Sequence, residues 1–204
     1  MKTDKATTVK YFDDLYKNNQ NMYGNKPSEW IVKILKYKKP PAKVLDFGIC
    51  YGRNALYLAR KGYDVSGVDI SQTAVNQCLD RARKSNLKIK CLVYDIAYFK
   101  FDTDYDVIFS TATLHYLGNR NVIKGVINNM KKHTKSGGLN IISVPTNTKI
   151  GMNFPYYFTK NELSGYYKDW QILGLGEEED LFTSGKVGTI GYIIAKNLKE
   201  PPIV

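Results

Sequence analysis

The spacing of apolar residues changes character near residue 42. Before it, Trp30, Ile31, Ile34 and Leu35 recur at helical intervals within EWIVKILKYK, and Tyr11, Phe12 and Leu15 mark a shorter helix upstream. After it, buried-strand runs alternate with amphipathic helices. AKVLDF reads as a strand ending at Asp46, GICYGRN as a turn and ALYLARKG as a helix. YDVSGVD is a second strand ending at Asp69, and Ser71 caps a helix running to Ser85. KIKCLVYD is a third strand ending at Asp95, and YDVIFSTA is a fourth. A helix over 119–133 turns Val122, Ile123, Val126, Ile127 and Met130 inward. Ser136, Gly137 and Gly138 form a turn into a fifth strand, LNIISVP. Thr159 and Glu162 are spaced as a capping box, which predicts a helix to Lys168. WQILGL and VGTIGYIIAK close the chain as two more strands. This alternation predicts an α/β sandwich: a seven-stranded, mostly parallel sheet covered by helices. Residues 41–199 read as one domain, with residues 1–40 as its helical cap over the mouth of the sheet.

Composition narrows the class. The 204 residues suit one domain, and 43% hydrophobic with 24% charged residues describes an ordinary globular protein. No apolar stretch approaches the roughly 18–20 residues of a membrane span. The first residues are polar, mix both charges and lack the apolar core of a secretory signal, so a cytoplasmic location away from membranes is expected. Cys50, Cys78 and Cys91 form no CxxC pair, and His115 and His133 are too few for a histidine metal centre, so no metal is expected. The net charge of +11 is the unusual number, yet only five of the thirty basic residues are arginines. The lysines are scattered, without the dense basic block typical of nucleic-acid binders.

The candidate chemistry lies at the strand ends. Asp46 ends a strand, Gly48 and Gly52 follow, and then a helix begins. Glycines allow close ligand approach, and amides at a helix N-terminus receive a carboxylate. Asp69, 17 residues beyond Gly52, is placed to accept both hydroxyls of a ribose. Asp95 is placed to accept an adenine amino proton, with Ile70 and Ile96 against the ring. Strand carboxyl ends are where ligands sit in open α/β sheets. Neither the Gly-x-Gly-x-x-Gly of dinucleotide sites nor a P-loop is present. A nucleoside bearing a charged amino-acid tail fits better than NAD.

VLDFGICYGRN, YDVSGVDIS, the Asp95 step, YDVIFSTATLHYL and the Ser136-Gly137-Gly138 turn together resemble class I S-adenosylmethionine-dependent methyltransferases. The resemblance covers residues 20–196. GRNALYLARKGYDV, and FPYYFTKNELSGYYKDWQIL before an acidic stretch, are most similar to the tellurite-resistance TehB-type branch. The resemblance implies a Rossmann-like fold and S-adenosyl-L-methionine as cofactor. It implies that Asp46, Gly48, Cys50 and Gly52 surround the methionyl group, that Asp69 binds ribose, and that Asp95 with Ile96 holds adenine. Arg53 and Asn54 match the branch's Gly-Arg-Asn; Arg53 either positions the loop, binds an anion or makes a salt bridge at the helix start. Ser110 and Thr111 adjoin the cofactor's amino group. His115 and Tyr116 face the reacting side as candidate catalytic residues, and Tyr23, Phe154, Tyr156 and Tyr157 as candidate substrate walls.

Two departures carry weight. Cys50 replaces the family's middle glycine, which is costly if the position needs positive φ. Phe182 and Thr183 stand where the branch carries the His and Arg of an oxyanion-binding segment, and no arginine follows Arg120. Lys186 is a point charge rather than a fork. The implied reaction is therefore in-line SN2 methyl transfer to a small molecule other than an oxyanion, with His115 as the central candidate base. An RNA methyltransferase and a non-catalytic cofactor-fold protein are the alternatives. Nucleic acid is not the expected partner, and the expected assembly is a monomer or homodimer.

Overall fold

A computed structural model describes residues 5–146, 153–182 and 185–199. Two compact units make up the chain, residues 1–100 and 101–204. The first contains α1 (Lys5–Asn18), α2 (Glu29–Tyr37), β1 (Lys43–Phe47), α3 (Arg53–Arg60), β2 (Asp64–Asp69), α4 (Gln72–Lys84) and β3 (Ile89–Val93). The second contains β4 (Tyr105–Thr111), α5 (Arg120–Lys132), β5 (Thr134–Pro145), α6 (Glu162–Tyr166), β6 (Gln171–Leu181) and β7 (Val187–Lys196). Short 3-10 turns cover Ile96–Tyr98 and Leu114–Leu117. The strands form a seven-stranded sheet in the order β3-β2-β1-β4-β5-β7-β6. β1/β2, β2/β3 and β4/β5 pair in parallel, and β7 runs antiparallel to both β5 and β6. This is the Rossmann-like, mostly parallel architecture that the alternating pattern predicts. No described helix is long and apolar enough to cross a membrane.

In the first unit, β1 buries Val44, Leu45 and Phe47, as a parallel strand covered on both faces must. α2 buries Trp30, Ile31 and Ile34 on one stripe. Ser71 caps α4 by accepting from the Ala74 amide at 3.1 Å, as its position predicts. The inward stripe of α1 is Phe12 and Tyr16, four residues apart, while Tyr11 is exposed. The third strand stops at Val93, so Asp95 lies two residues beyond it and caps the Ile96–Tyr98 turn through the Ala97 amide.

In the second unit, β4 buries Val107, Ile108 and Phe109 completely. α5 is capped by Asn119 and buries Ile123, Val126, Ile127 and Met130; Val122 is exposed, one position off the apolar stripe. Two expectations need correction here. Ser136, Gly137 and Gly138 lie within β5, at an irregularity in its pairing with β4. Gly137 has φ 69°, and a Cβ on Gly138 would meet the Asp106 and Lys135 carbonyls at 2.8 Å, so the glycines let the strand bulge rather than end. The helix predicted to reach Lys168 spans only Glu162–Tyr166. Glu162 does reach back to the Thr159 amide, at 3.1 Å, but Asn161 is left-handed (φ 65°), so the helix begins at Glu162 itself.

Candidate functional site

The loop after β1 is built from left-handed residues. Gly48 and Gly52 both have φ 86° and Cys50 has φ 54°. Between them Ile49 and Tyr51 are buried and anchor the loop. The Gly48 and Ile49 amides donate to the Val68 carbonyl at 2.8 and 3.0 Å, which ties the loop to the end of β2. Glycine is required at 52 for a second reason: a Cβ there would lie 2.5 Å from Cys78 Sγ. Cys50 occupies a conformation that costs an L-residue about 1–2 kcal/mol. Its thiol is not reactive, because burial pushes it up to about 12.

Two carboxylates flank this loop. Asp69 accepts from the Cys50 amide at 2.9 Å and from the Ser71 amide at 3.0 Å. Burial outweighs those bonds and raises it to about 6. Asp46 is 1% exposed, and its Oδ1 has no hydrogen-bond partner among the described residues. Burial, and then Asp69, hold it well above the ordinary carboxylate range. An orphaned buried carboxylate oxygen is costly unless a donor arrives. α3 starts at Arg53 with no side chain capping its amides. An orphan acceptor beside an uncapped helix start fits the ammonium and carboxylate of an amino-acid tail. Asp69 keeps lone pairs for ribose hydroxyls. Asp95 and Ile70 are half-buried and Ile96 is buried, a polar edge with apolar neighbours suited to a base. These residues fit S-adenosylmethionine.

The structure gives other residues of the first unit a supporting role. The Arg53 guanidinium donates to the Tyr23 and Lys26 carbonyls, at 3.1 and 3.3 Å. Of the three readings of Arg53, these bonds match loop positioning. Asn54 is buried and accepts from the Ser28 amide at 3.0 Å, fixing the start of α2. Tyr23 stacks on Tyr51, whose hydroxyl bonds to the Tyr23 amide and the Gly24 carbonyl. Tyr23, named as a substrate wall, is therefore part of this pinned loop.

Sequence reasoning missed two residues of α1. Tyr16 is 6% exposed and hydrogen-bonds the Cys50 thiol. Asp13 accepts from Ser71 Oγ at 2.6 Å and the Thr73 amide at 3.0 Å, so α1 caps α4 at the end of β2. The available signal was the four-residue spacing of Phe12 and Tyr16, with Asp13 on the adjoining face.

In the second unit Ser110 is buried, Thr111 ends β4, and the chain turns through Ala112 at φ 52°. His115 follows in an aromatic nest. Its ring lies 4.2 Å from Tyr116 and 4.3 Å from Phe154; Phe154 lies 5.6 Å from Tyr157 and 6.4 Å from Phe182. The structure thus brings together His115, Tyr116, Phe154 and Tyr157, four residues singled out from sequence, and adds Phe182. Thr183 lies outside the described residues. Neither His115 nitrogen has a partner among the described residues, and burial lowers its pKa to about 3. That depressed pKa favours the neutral imidazole. Tyr156 is turned elsewhere. Its hydroxyl donates to Glu162 at 2.8 Å, and Glu162 also binds Tyr166 at 3.0 Å and Arg120 at 3.3 Å. Among the described residues, no group of three or more His, Cys, Asp or Glu could hold a metal ion.

Comparison with known proteins identifies the family. A probable S-adenosyl-L-methionine-dependent methyltransferase TehB of Haemophilus influenzae is 39% identical over 140 residues, covering 67% of this chain and 49% of that protein. The chain thus spans about half the length of these curated relatives. The crystal structure of TehB from Haemophilus influenzae superimposes with a TM-score of 0.78 at 31% identity, covering 91% of this chain and 67% of that one. A magnesium protoporphyrin IX methyltransferase (ChlM) from Synechocystis PCC 6803, with bound SAH, reaches a TM-score of 0.76 at 16% identity over 95% of this chain and 100% of that one, a likeness of fold alone. The model of the family described as tellurite resistance protein TehB matches residues 7–189. The chain belongs to the TehB family.

Proposed function

We propose that the protein is an S-adenosylmethionine-dependent methyltransferase acting on a small-molecule acceptor. The observation that carries the reading is the orphaned Asp46 oxygen beside the left-handed loop, with Asp69 at the next strand end. When bound, the cofactor supplies a methyl group activated by its sulfonium. The chain's own residues do the rest. Asp46 binds the ammonium of the amino-acid tail, Asp69 holds the ribose, and Asp95 with Ile96 holds the base. Ser110 and Thr111 stand at the end of β4 to orient the tail. The aromatic nest orients the acceptor and excludes water, which in-line displacement requires.

The acceptor in this reading is not an oxyanion. Phe182 lies beside Phe154 at the edge of the nest, where the branch carries a His, and Arg120, the last arginine of the chain, is engaged by Glu162. A neutral His115 supplies no positive charge and is too weak a base to strip a proton near neutrality. The acceptor is then nucleophilic as it stands, and the rings of Tyr116 and Tyr157 would supply cation–π stabilisation to a sulfonium bound beside them.

Calorimetric titration with S-adenosylhomocysteine tests the reading. The wild-type protein binds, and Asp69→Ala loses at least about tenfold in affinity, the equivalent of about 1.4 kcal/mol. No heat of binding at about 1 mM ligand, where a specific site would already be half filled at about −4 kcal/mol, would falsify it.

A further inference from the structure

Two cysteines meet behind the loop just described. Cys78 projects from the middle of α4 and is fully buried; Cys91 projects from β3, the edge strand of the sheet, and is partly exposed. Their sulfurs are 3.5 Å apart and share a hydrogen bond. The Cys78 hydrogen bond holds the Cys91 thiol below its ordinary range, which favours thiolate at the more accessible sulfur. The same Cys78 sulfur packs directly against Gly52, so close that a Cβ there would come within 2.5 Å of it. Gly52 is the left-handed residue that starts α3. One sulfur of the pair is therefore open to an oxidant, and the other supports the loop.

We propose that Cys78 and Cys91 are a reversible oxidation site: a peroxide-class oxidant joins them in a disulfide, and the loop at Gly52 loosens as a result. The chemistry balances. The Cys91 thiolate attacks a peroxide oxygen; the O–O bond breaks and leaves as water after protonation, and Cys91 becomes a sulfenic acid. Cys78 then attacks the Cys91 sulfur and passes its thiol proton to the departing oxygen, so that the S–O bond breaks and a second water leaves. Two thiols are oxidised by two electrons, and one peroxide is reduced to two waters. The sulfurs close from 3.5 Å to about 2.05 Å. Closing that gap shifts Cys78 Sγ, the atom that packs against Gly52, and so disturbs the packing beneath the loop. Cys50 takes no part: its thiol is hydrogen-bonded to Tyr16.

The consequence for ligand affinity rests on the reading that this loop holds the cofactor, so the test reads the disulfide and the loop separately. Intact protein is treated with hydrogen peroxide, then mapped by mass spectrometry and by amide hydrogen exchange. The expected result is a loss of about 2 Da confined to a Cys78–Cys91 cross-link and undone by dithiothreitol. Exchange of the 48–53 amides rises about tenfold, an opening shift of about 1.4 kcal/mol. Affinity for S-adenosylhomocysteine falls in parallel. Cys91→Ser, at the partly exposed position, shows none of these changes, and Cys78→Ala gives a second check should Cys91→Ser fold poorly. Oxygen addition at either cysteine without a cross-link overturns the proposal, as does a cross-link that leaves exchange over 48–53 unchanged. Absence of S-adenosylhomocysteine binding by the reduced protein refutes the cofactor reading while the mass and exchange results still decide this one.

Discussion

Single residues set the character of each unit's candidate chemistry. Gly52 carries a left-handed backbone and a sulfur in contact, so Gly52→Ala adds about 1–2 kcal/mol of backbone strain and about 1–3 kcal/mol of overlap. Its denaturation midpoint should fall sharply. Gly52→Ala with Cys78→Ala should recover the overlap and not the strain, so the two changes should be visibly non-additive in denaturant titrations. Strict additivity would mean that the contact carries no weight. His115 gives a pH test. Its folded pKa of about 3 lies below the ordinary 6.5. The imidazole's neutral burial therefore stabilises fully above 6.5, and that contribution is lost as pH falls toward 3. Between pH 7 and pH 5 the loss is about 2 kcal/mol. Asp69 has the opposite sign: raised from 3.8 to about 6, it costs stability as pH rises through that window. The two partly cancel in the wild-type curve. The wild type's advantage over His115→Leu should shrink by about 2 kcal/mol on going from pH 7 to pH 5; an unchanged difference would refute the buried neutral imidazole. The carboxylates at the strand ends were legible in sequence because strand, acid and glycine follow one another locally. The burial of His115 was not, because Phe154 reaches it from 39 residues downstream.

At the scale of elements, short and shared structure proved hardest to read. The Thr159/Glu162 capping signal correctly named a contact, yet the helix it opens is five residues long. So short a helix is not held by its own backbone bonds. It is held by Glu162, whose side chain is 3% exposed and accepts from the Thr159 amide and the Tyr156 and Tyr166 hydroxyls. Glu162→Ala strands two phenols and one amide, which should cost about 2–3 kcal/mol. Glu162→Gln keeps an acceptor and should cost less. Arg120 is 69% exposed on its side chain, so Arg120→Ala should move stability far less than Glu162→Ala does. Thermal unfolding of the three variants checks the order; an Arg120 effect equal to that of Glu162→Ala would show that the ion pair, not the buried hydrogen bonds, holds the segment. β5 teaches the same lesson. A Ser-Gly-Gly run normally ends an element, but here the glycines accommodate an irregularity in a continuous strand. Periodicity marks where a face is buried; it does not show whether a neighbouring strand will carry the backbone through a bulge. α1 was legible as a helix, whereas its Asp13 and Tyr16 contacts to Ser71 and Cys50 depend on partners more than thirty residues away.

For the whole molecule, the excess of charge is a term in stability before it is a term in recognition. The net charge is +11, carried by thirty basic against nineteen acidic side chains. Surface ion pairs such as Lys135–Asp106 and Lys199–Asp169 involve lysines exposed at 45% and 67%. Pairs of this kind contribute about 0–1 kcal/mol each, and added salt weakens them. The same salt screens the repulsion among the unpaired lysines, which opposes the compact state. Because eleven positive charges lack an acidic counterpart, relief of repulsion outweighs the loss of the pairs. The protein should therefore become more stable as ionic strength rises from about 0.01 M to about 0.1 M, over which the screening length falls from about 30 Å to about 10 Å. Urea midpoints measured across that range, with sodium chloride as the salt, check the sign. Replacing the exposed helical Lys124 with Glu should raise the low-salt midpoint and flatten the dependence. A midpoint that falls with salt would mean that local ion pairs outweigh the net charge. The site chemistry is insulated from this field, since Asp46 and Asp69 are buried and their protonation is set by desolvation before any surface charge.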